Sequence, residues 1–327
     1  MKTFSCELLL TGYPRISEFE ELRSTYFPNS IFNCFLSYTA IMLNIVSILA
    51  IRKTSSLPKT LKTLLLSLAV SDVSVGVVCQ PFYTSLLIKW LQENNPGCNT
   101  YMVFNVITGM FALPSFLGVV ALSVDRFLAI HLHLRYQELV THKRVIALVI
   151  SIWVISIFRS SMALWASDRN LNLISVTTGV VGLCVTTVVY IRVYLTVRRH
   201  KNQIHVPQVL QVAQTSEMAN FANLIKSAIS VFYVYLAYLV CYFPFLISAA
   251  MFEGYGSNIT WKRYALSSFT LVFLNSSLNP VIYCWKMRHI RHAVINILRN
   301  MSWHRNPHLI NISAGRAMSF CATFRHF

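Results

Sequence analysis

Asp72 sits in the middle of a long apolar run, Leu68-Ala69-Val70-Ser71-Asp72. A carboxylate at such a place is costly and needs a partner or a cation, unless burial keeps it protonated. Asn44, Ser115, Asn275, Ser276 and Asn279 fall at matching depths in other apolar runs. Hydroxyls and amides gathered around one carboxylate suit a hard cation such as sodium. Taken singly, each is polar glue between helices. No comparable set supports catalysis. All ten His residues lie between or after the apolar runs, so none converges with an acid inside a bundle. The eight Cys are scattered without metal-ligand spacing, and no HExxH, CxxC or GxSxG occurs. The chain reads as a non-enzyme without a cofactor, apart from the allosteric sodium.

The elements that must position these residues are seven apolar runs, at about 31–51, 61–88, 99–130, 145–166, 173–197, 223–252 and 264–285. Each exceeds or approaches the ~20 residues that a helix needs to cross a bilayer. The composition agrees: 55% hydrophobic and 12% charged, against about 25% charge in a soluble domain. No run alternates with period two, as a membrane β-barrel requires. No internal repeat is visible, which weakens a transporter of inverted repeats. The expected fold is all-α, a seven-transmembrane-helix bundle over 31–285. Residues 1–30 form a polar outer tail, with the first run as the targeting signal. Residues 286–295 interleave apolar and basic side chains and read as a short amphipathic helix on the inner membrane face. Residues 296–327 are a cytoplasmic tail, in which Ser302, Ser313, Ser319 and Thr323 are acceptors for phosphorylation and Cys321 for lipid. The net charge of +17 is explained by orientation. With the N-terminus outside, 20 of the 28 Lys and Arg fall on the cytoplasmic side, against anionic lipid head groups. Nucleic acid is therefore not the expected partner.

Five short motifs lie in order on five different runs. The second carries Leu68, Ala69 and Asp72; the third ends in Asp125-Arg126-Phe127; the fourth has Trp153; the sixth has Cys241-Tyr242-Phe243-Pro244; the seventh ends in Asn279-Pro280-Val281-Ile282-Tyr283. On these residues the chain resembles the rhodopsin-like (class A) G-protein-coupled receptors from about 31 to 295. The resemblance implies a plasma-membrane receptor that binds an extracellular ligand and activates a heterotrimeric G protein, with arrestin and a receptor kinase as further partners. It assigns coupling and activation to Asp125, Arg126, Tyr190, Pro244, Asn279, Pro280 and Tyr283. Pro244 and Pro280 each remove a backbone donor in mid-helix and so provide pivots. For Tyr190 and Tyr283 the alternative is interfacial anchoring. The competing class is a channel or transporter that uses the Asp72 cluster, a reading that leaves the motifs at 125–126 and 279–283 without a role.

The departures from the family also carry information. The family bridges a Cys atop its third helix to one in the second outer loop. Cys98 lies 126 − 98 = 28 residues before Arg126, about three more than the family spacing, and the outer loop at roughly 166–173 has no Cys. The disulfide pattern is thus unknown, with Cys6–Cys98 as one hypothesis. The short loop, its missing Cys and Gly182 in place of the fifth-helix Pro resemble the melanocortin receptors. Tyr190-Ile191-Arg192-Val193-Tyr194 resembles the adenosine receptors. The melanocortin ligand acids are replaced by Phe82, Tyr101 and Asn105. Thr108 stands where amine receptors carry Asp, and Phe273 where opsins carry Lys. The implied ligand wall is Phe82, Phe104, Thr108, Ala112, Tyr242, Phe245, Ala249, Phe269 and Phe273. It is aromatic with few polar anchors, which suits a small apolar or amphipathic ligand. Asn258 in Asn258-Ile259-Thr260 is the only sequon on an outer loop. Many family members hold the sixth helix closed with an acid 20 residues before its Pro; here 244 − 20 = 224 is Leu224, with Glu217 further out in the loop. Basal signalling is the expectation.

Overall fold

A computed structural model of the chain describes residues 12–132, 135–164, 168–203, 211–256 and 258–305. Seven of its helices are long and apolar enough to cross a membrane. They are α1 (Phe19–Lys53), α2 (Lys59–Leu91), α3 (Cys98–Leu132), α4 (His142–Ser161), α5 (Asp168–Gln203), α6 (Gln211–Tyr255) and α7 (Ile259–Lys286). After a break at Met287, α8 (Arg288–Arg305) follows. The bundle is polar inside and apolar outside. Phe27, Ile31 and Phe35 on α1, Val154 and Phe158 on α4, and Val240 on α6 face outward, while Asn33, Asn44, Asp72, Gln80 and Asn279 are fully enclosed. That arrangement is stable only when the surrounding medium is hydrocarbon and the polar groups satisfy one another.

Several boundaries differ from the sequence expectation. α1 begins at Phe19, within the stretch expected to be tail. Phe19, Leu22 and Tyr26 recur at spacings of three and four and are buried, whereas Glu20, Glu21 and Arg23 stay exposed. This turn is held by one apolar stripe, so it lacks the uniform apolarity that marks the rest of α1. α6 reaches back to Gln211, which places Glu217 on helix instead of loop. α8 runs to Arg305, ten residues past the expected end, with Ile290 and Val294 buried and Arg288 and His289 exposed. Cys6, Ser313, Ser319, Cys321 and Thr323 lie outside the described residues.

α2 contains a π-helical turn at Val75–Cys79. Gly76 sits in it, and the Ser37 hydroxyl of α1 donates to its carbonyl at 2.8 Å. A Cβ at Gly76 would come within 3.0 Å of Ile41 and 3.2 Å of Ala40, so glycine permits the close α1–α2 approach. Among the described residues two large core clusters fill the bundle, one around Leu65, Leu122 and Tyr283 and the other around Tyr83, Trp90 and Phe104, beside a small third one at Ile130, Val193 and Ala228. The two large ones lie towards opposite ends of the molecule, called here the Arg126 end and the Trp90 end.

Candidate functional site

The first zone is the polar centre. Asp72 is fully buried. Its two oxygens accept from Ser115 Oγ at 3.0 Å and Asn279 Nδ2 at 2.8 Å. Asn44 Nδ2 donates to the Ser276 carbonyl at 2.8 Å, tying α1 to α7. The structure thus brings together Asp72, Ser115, Asn279 and Ser276, whose side chain also hydrogen-bonds Asp72. Three amide oxygens, Asn44 Oδ1, Asn275 Oδ1 and Asn279 Oδ1, are buried with no hydrogen-bond partner. An all-oxygen set with orphaned acceptors and one carboxylate fits a hard monovalent cation.

The second zone lies at the Arg126 end. Asp125 and Arg126 are both buried and form an ion pair in which Arg126 Nε, at 2.9 Å, and Nη2 both donate to Asp125 Oδ2. The other Asp125 oxygen accepts from Tyr136 Oη at 2.6 Å. Tyr136 belongs to the short helix Tyr136–Leu139, and its hydroxyl lies 3.1 Å from Thr60 Oγ1 of α2. Burial first, then the adjacent Asp125 charge, push the Tyr136 phenol up to about 12. It remains a donor at physiological pH. Arg126 Nη1 also reaches Ser227 Oγ of α6 at 3.4 Å. No acid of α6 is among its described partners. Leu224 packs instead with Phe127, Ile130, Val193 and Ala228 in an apolar contact of α3, α5 and α6.

Tyr190 points into the bundle and is not an interfacial anchor. It is 8% exposed, its hydroxyl is 3.1 Å from Ser123 Oγ, and its ring stacks on Tyr235 at 5.3 Å. Tyr283 is fully enclosed with its hydroxyl unpartnered. Lys286 lies over the Tyr233 ring at 4.0 Å and the Trp285 ring at 3.4 Å, joining the end of α7 to α6. Pro244 and Pro280 stand inside α6 and α7.

The third zone is the aromatic wall towards the Trp90 end. Phe104 stacks on Phe82 at 5.6 Å and meets Phe269 at 6.1 Å, and Phe245 sits edge-on to Phe269 at 5.1 Å. Phe273 joins through Tyr83 at 5.6 Å. Thr108, Ala112 and Ala249 are half-buried. Tyr242 belongs to a separate stack, 3.9 Å from Tyr238 and 6.4 Å from Phe116. Phe116 explains Gly182: a Cβ there would lie 2.1 Å from the Phe116 ring, so the missing fifth-helix Pro is replaced by a notch that the ring of α3 fills. Sequence reasoning missed Tyr83, Phe116 and Tyr136. Each is an ordinary aromatic in sequence, and its role comes from a partner on another helix. Cys98 is disulfide-bonded, whereas Cys34, Cys79, Cys184, Cys241 and Cys284 are free.

Comparison with known proteins agrees with this geometry. Residues 43–172 match the family model of the 7 transmembrane receptor (rhodopsin family). The chain is 26% identical to the histamine H2 receptor of Canis lupus familiaris over 289 residues, 78% of this chain and 75% of that one. It is 30% identical to the adenosine receptor A2b of Gallus gallus over 135 residues, 41% and 38% of the two chains. It is 23% identical to the D(2) dopamine receptor A of Xenopus laevis over 185 residues, 52% and 41% of the two. The chain belongs to the rhodopsin-like (class A) receptors. It is a multi-pass membrane protein and a G-protein-coupled receptor, a family whose members are not enzymes. The channel or transporter alternative finds no support.

Proposed function

We propose that the receptor sits in the plasma membrane with its Trp90 end outside, and that it binds a small apolar or amphipathic ligand against the aromatic wall of α2, α3, α6 and α7. The observation that carries this is the wall itself, with Phe82, Phe104, Phe245 and Phe269 in one contact network. Such a surface recognises apolar bulk. Two of the similar receptors are named for the amines histamine and dopamine. Thr108 supplies no charge to pair an ammonium, so an amine is not the proposed ligand. Ligand binding turns α6 about Pro244, parts Arg126 from Asp125 and Ser227, and opens the Arg126 end to the G protein. Sodium at Asp72 stabilises the closed form. The tail after α8 then receives a receptor kinase and arrestin.

A screen of apolar and amphipathic compounds, read with reporters for several G proteins, tests the reading. The expected result is a hit whose potency falls when Phe269 is replaced by Ala while surface expression is retained. Agonists indifferent to Phe104→Ala, Phe245→Ala and Phe269→Ala alike would overturn it.

A further inference from the structure

Lys262 is 1% exposed, a burial that lysine accepts only with a partner. It lies one turn into α7, whose first residue is Ile259, near the end where the helix dipole is positive. A cation gains nothing from that end. Its carboxylate partner comes from outside the bundle: Glu18 Oε2, at 2.7 Å, from the short turn Ile16–Glu18 that precedes α1. Glu18 itself is 19% exposed. The segment around it folds over the mouth of the bundle. Tyr13 stacks on Tyr101 at 4.2 Å, and its hydroxyl donates to Asn105 Oδ1 at 2.7 Å. Arg263 Nη2 donates to the Glu21 carbonyl at 3.0 Å. Beneath this cover the Tyr26 hydroxyl is buried without a partner.

Lys262 also shares a helical stripe with the wall. Residues 262, 266, 269 and 273 follow each other at spacings of four, three and four, and Lys262, Leu266 and Phe273 are buried. The stripe therefore runs from an ammonium at the mouth to phenyl rings below it.

We propose that Lys262 is the anion-recognition residue of the ligand site, that the ligand is an amphipathic carboxylate, and that its carboxylate replaces Glu18 on the Lys262 ammonium and unseats the segment 13–18. The proposal rests on the wall being the ligand site. Its selectivity follows from the burial of Lys262. A neutral compound that displaced Glu18 would strand a buried charge, which costs several kcal/mol. An ammonium would add repulsion to that loss. Only an anion exchanges like for like, and an apolar body attached to it reaches Phe269 and Phe273. The exchange is a competition for one cation, so the N-terminal segment acts as a tethered competitor.

The test uses the full-length receptor in lipid nanodiscs with octanoate as probe and octanol as its neutral control. Amide exchange over residues 13–21 should speed up with octanoate and stay unchanged with octanol. In Glu18→Gln, octanoate should bind at least about fivefold tighter, because the ion pair that competes for a buried cation is gone. Lys262→Met should lose the octanoate effect, and Lys262→Arg, which guards against a folding defect, should keep it. The proposal is overturned by equal responses to octanoate and octanol, by no octanoate response in wild type and Glu18→Gln, or by a response that persists in Lys262→Met. These readouts require no signalling. A receptor that binds octanoate through Lys262 without passing any change to a G protein would refute the coupling reading and leave this one standing.

Discussion

At the scale of single residues, the proposed function rests on two side-chain clusters. Asp72 is held by Ser115 and Asn279, and the Oδ1 of Asn279 is itself buried without a hydrogen-bond partner. A monovalent cation that binds only this packing shifts the population towards it. Ligand-free nucleotide exchange on the G protein should be at least about fivefold lower in sodium than in N-methyl-D-glucamine at equal ionic strength. Asp72→Asn should erase the difference; an undiminished sodium effect in that variant would remove the ion from this site. Asp125 is oriented by Tyr136 as well as by Arg126. A hydrogen bond to a charged group contributes about 1.5–3 kcal/mol, so Tyr136→Phe should raise ligand-free exchange by at least about tenfold. Because the phenol titrates only near 12, it is neutral and donating at every lower pH. The wild-type-to-Phe ratio should therefore be flat between about pH 6 and 8. The carboxylate at 72 and the Asp-Arg pair were legible in the sequence from residue type and position alone. Tyr136 was not, because its phenol meets Thr60 across 76 residues of chain.

At the scale of elements, the question is what holds α6. The sequence lacks an acid at 224 and points to basal signalling, yet the structure supplies other contacts. Ser227 meets Arg126, Leu224 packs in the α3–α5–α6 contact, and Lys286 lies over Tyr233. Each is weaker than a buried ion pair, so basal exchange should exceed the Arg126→Ala background. Lys286→Met should raise it about two- to fivefold, since an accessible cation–π contact contributes ~0.5–1 kcal/mol. Leu224→Glu should lower it by giving Arg126 a cross-helix carboxylate. Membranes at matched surface expression decide this: a wild-type rate equal to the Arg126→Ala rate, or a Lys286→Met rate equal to wild type, contradicts the account. Gly182 sets the α3–α5 contact in the same way. Gly182→Ala drives a methyl into the Phe116 ring and should destabilise by about 1–3 kcal/mol. Phe116→Leu should relieve the clash, so a thermal-unfolding cycle of the two changes will show strong coupling. Additive midpoints would mean the ring moves aside freely. The vacancy left by a missing Pro was visible in sequence. The ring that fills it was not, because 66 residues separate the two positions.

At the scale of the whole molecule, seven spans and their order were legible because the bilayer imposes one long apolar stretch per crossing. The ends of the helices were less so. The first turns of α1 and of α8 carry charge on one side and bury the other, a pattern that apolar length alone does not reveal. Orientation is tested at Asn258. Its side chain is exposed and caps α7 by accepting from the Thr260 N–H at 3.2 Å. Asn258→Asp keeps the cap, whereas Asn258→Gln sacrifices about 1 kcal/mol with it. A glycosidase-sensitive mass shift in wild type that vanishes in Asn258→Asp places the Trp90 end outside. A shift retained in that variant contradicts the proposed topology.

The π-helical turn at Val75–Cys79 carries a consequence for descent and engineering alike. It holds one residue more than the α-helical turn it replaces, so everything beyond it in α2 is offset by about 100°. Counting outward from Asp72 as if the helix were regular puts Tyr83 about 20° and Trp90 about 0° from the Asp72 face; the wide turn carries both about 100° round from there, to where Phe104 meets Tyr83 and where Tyr26 and Tyr101 meet Trp90. Closing the wide turn to a regular α-helical one without removing a residue would act as a rotation of about 100° that parts Tyr83 and Trp90 from their partners, whereas deleting one codon within 75–79 removes the extra residue and leaves the faces beyond it in place.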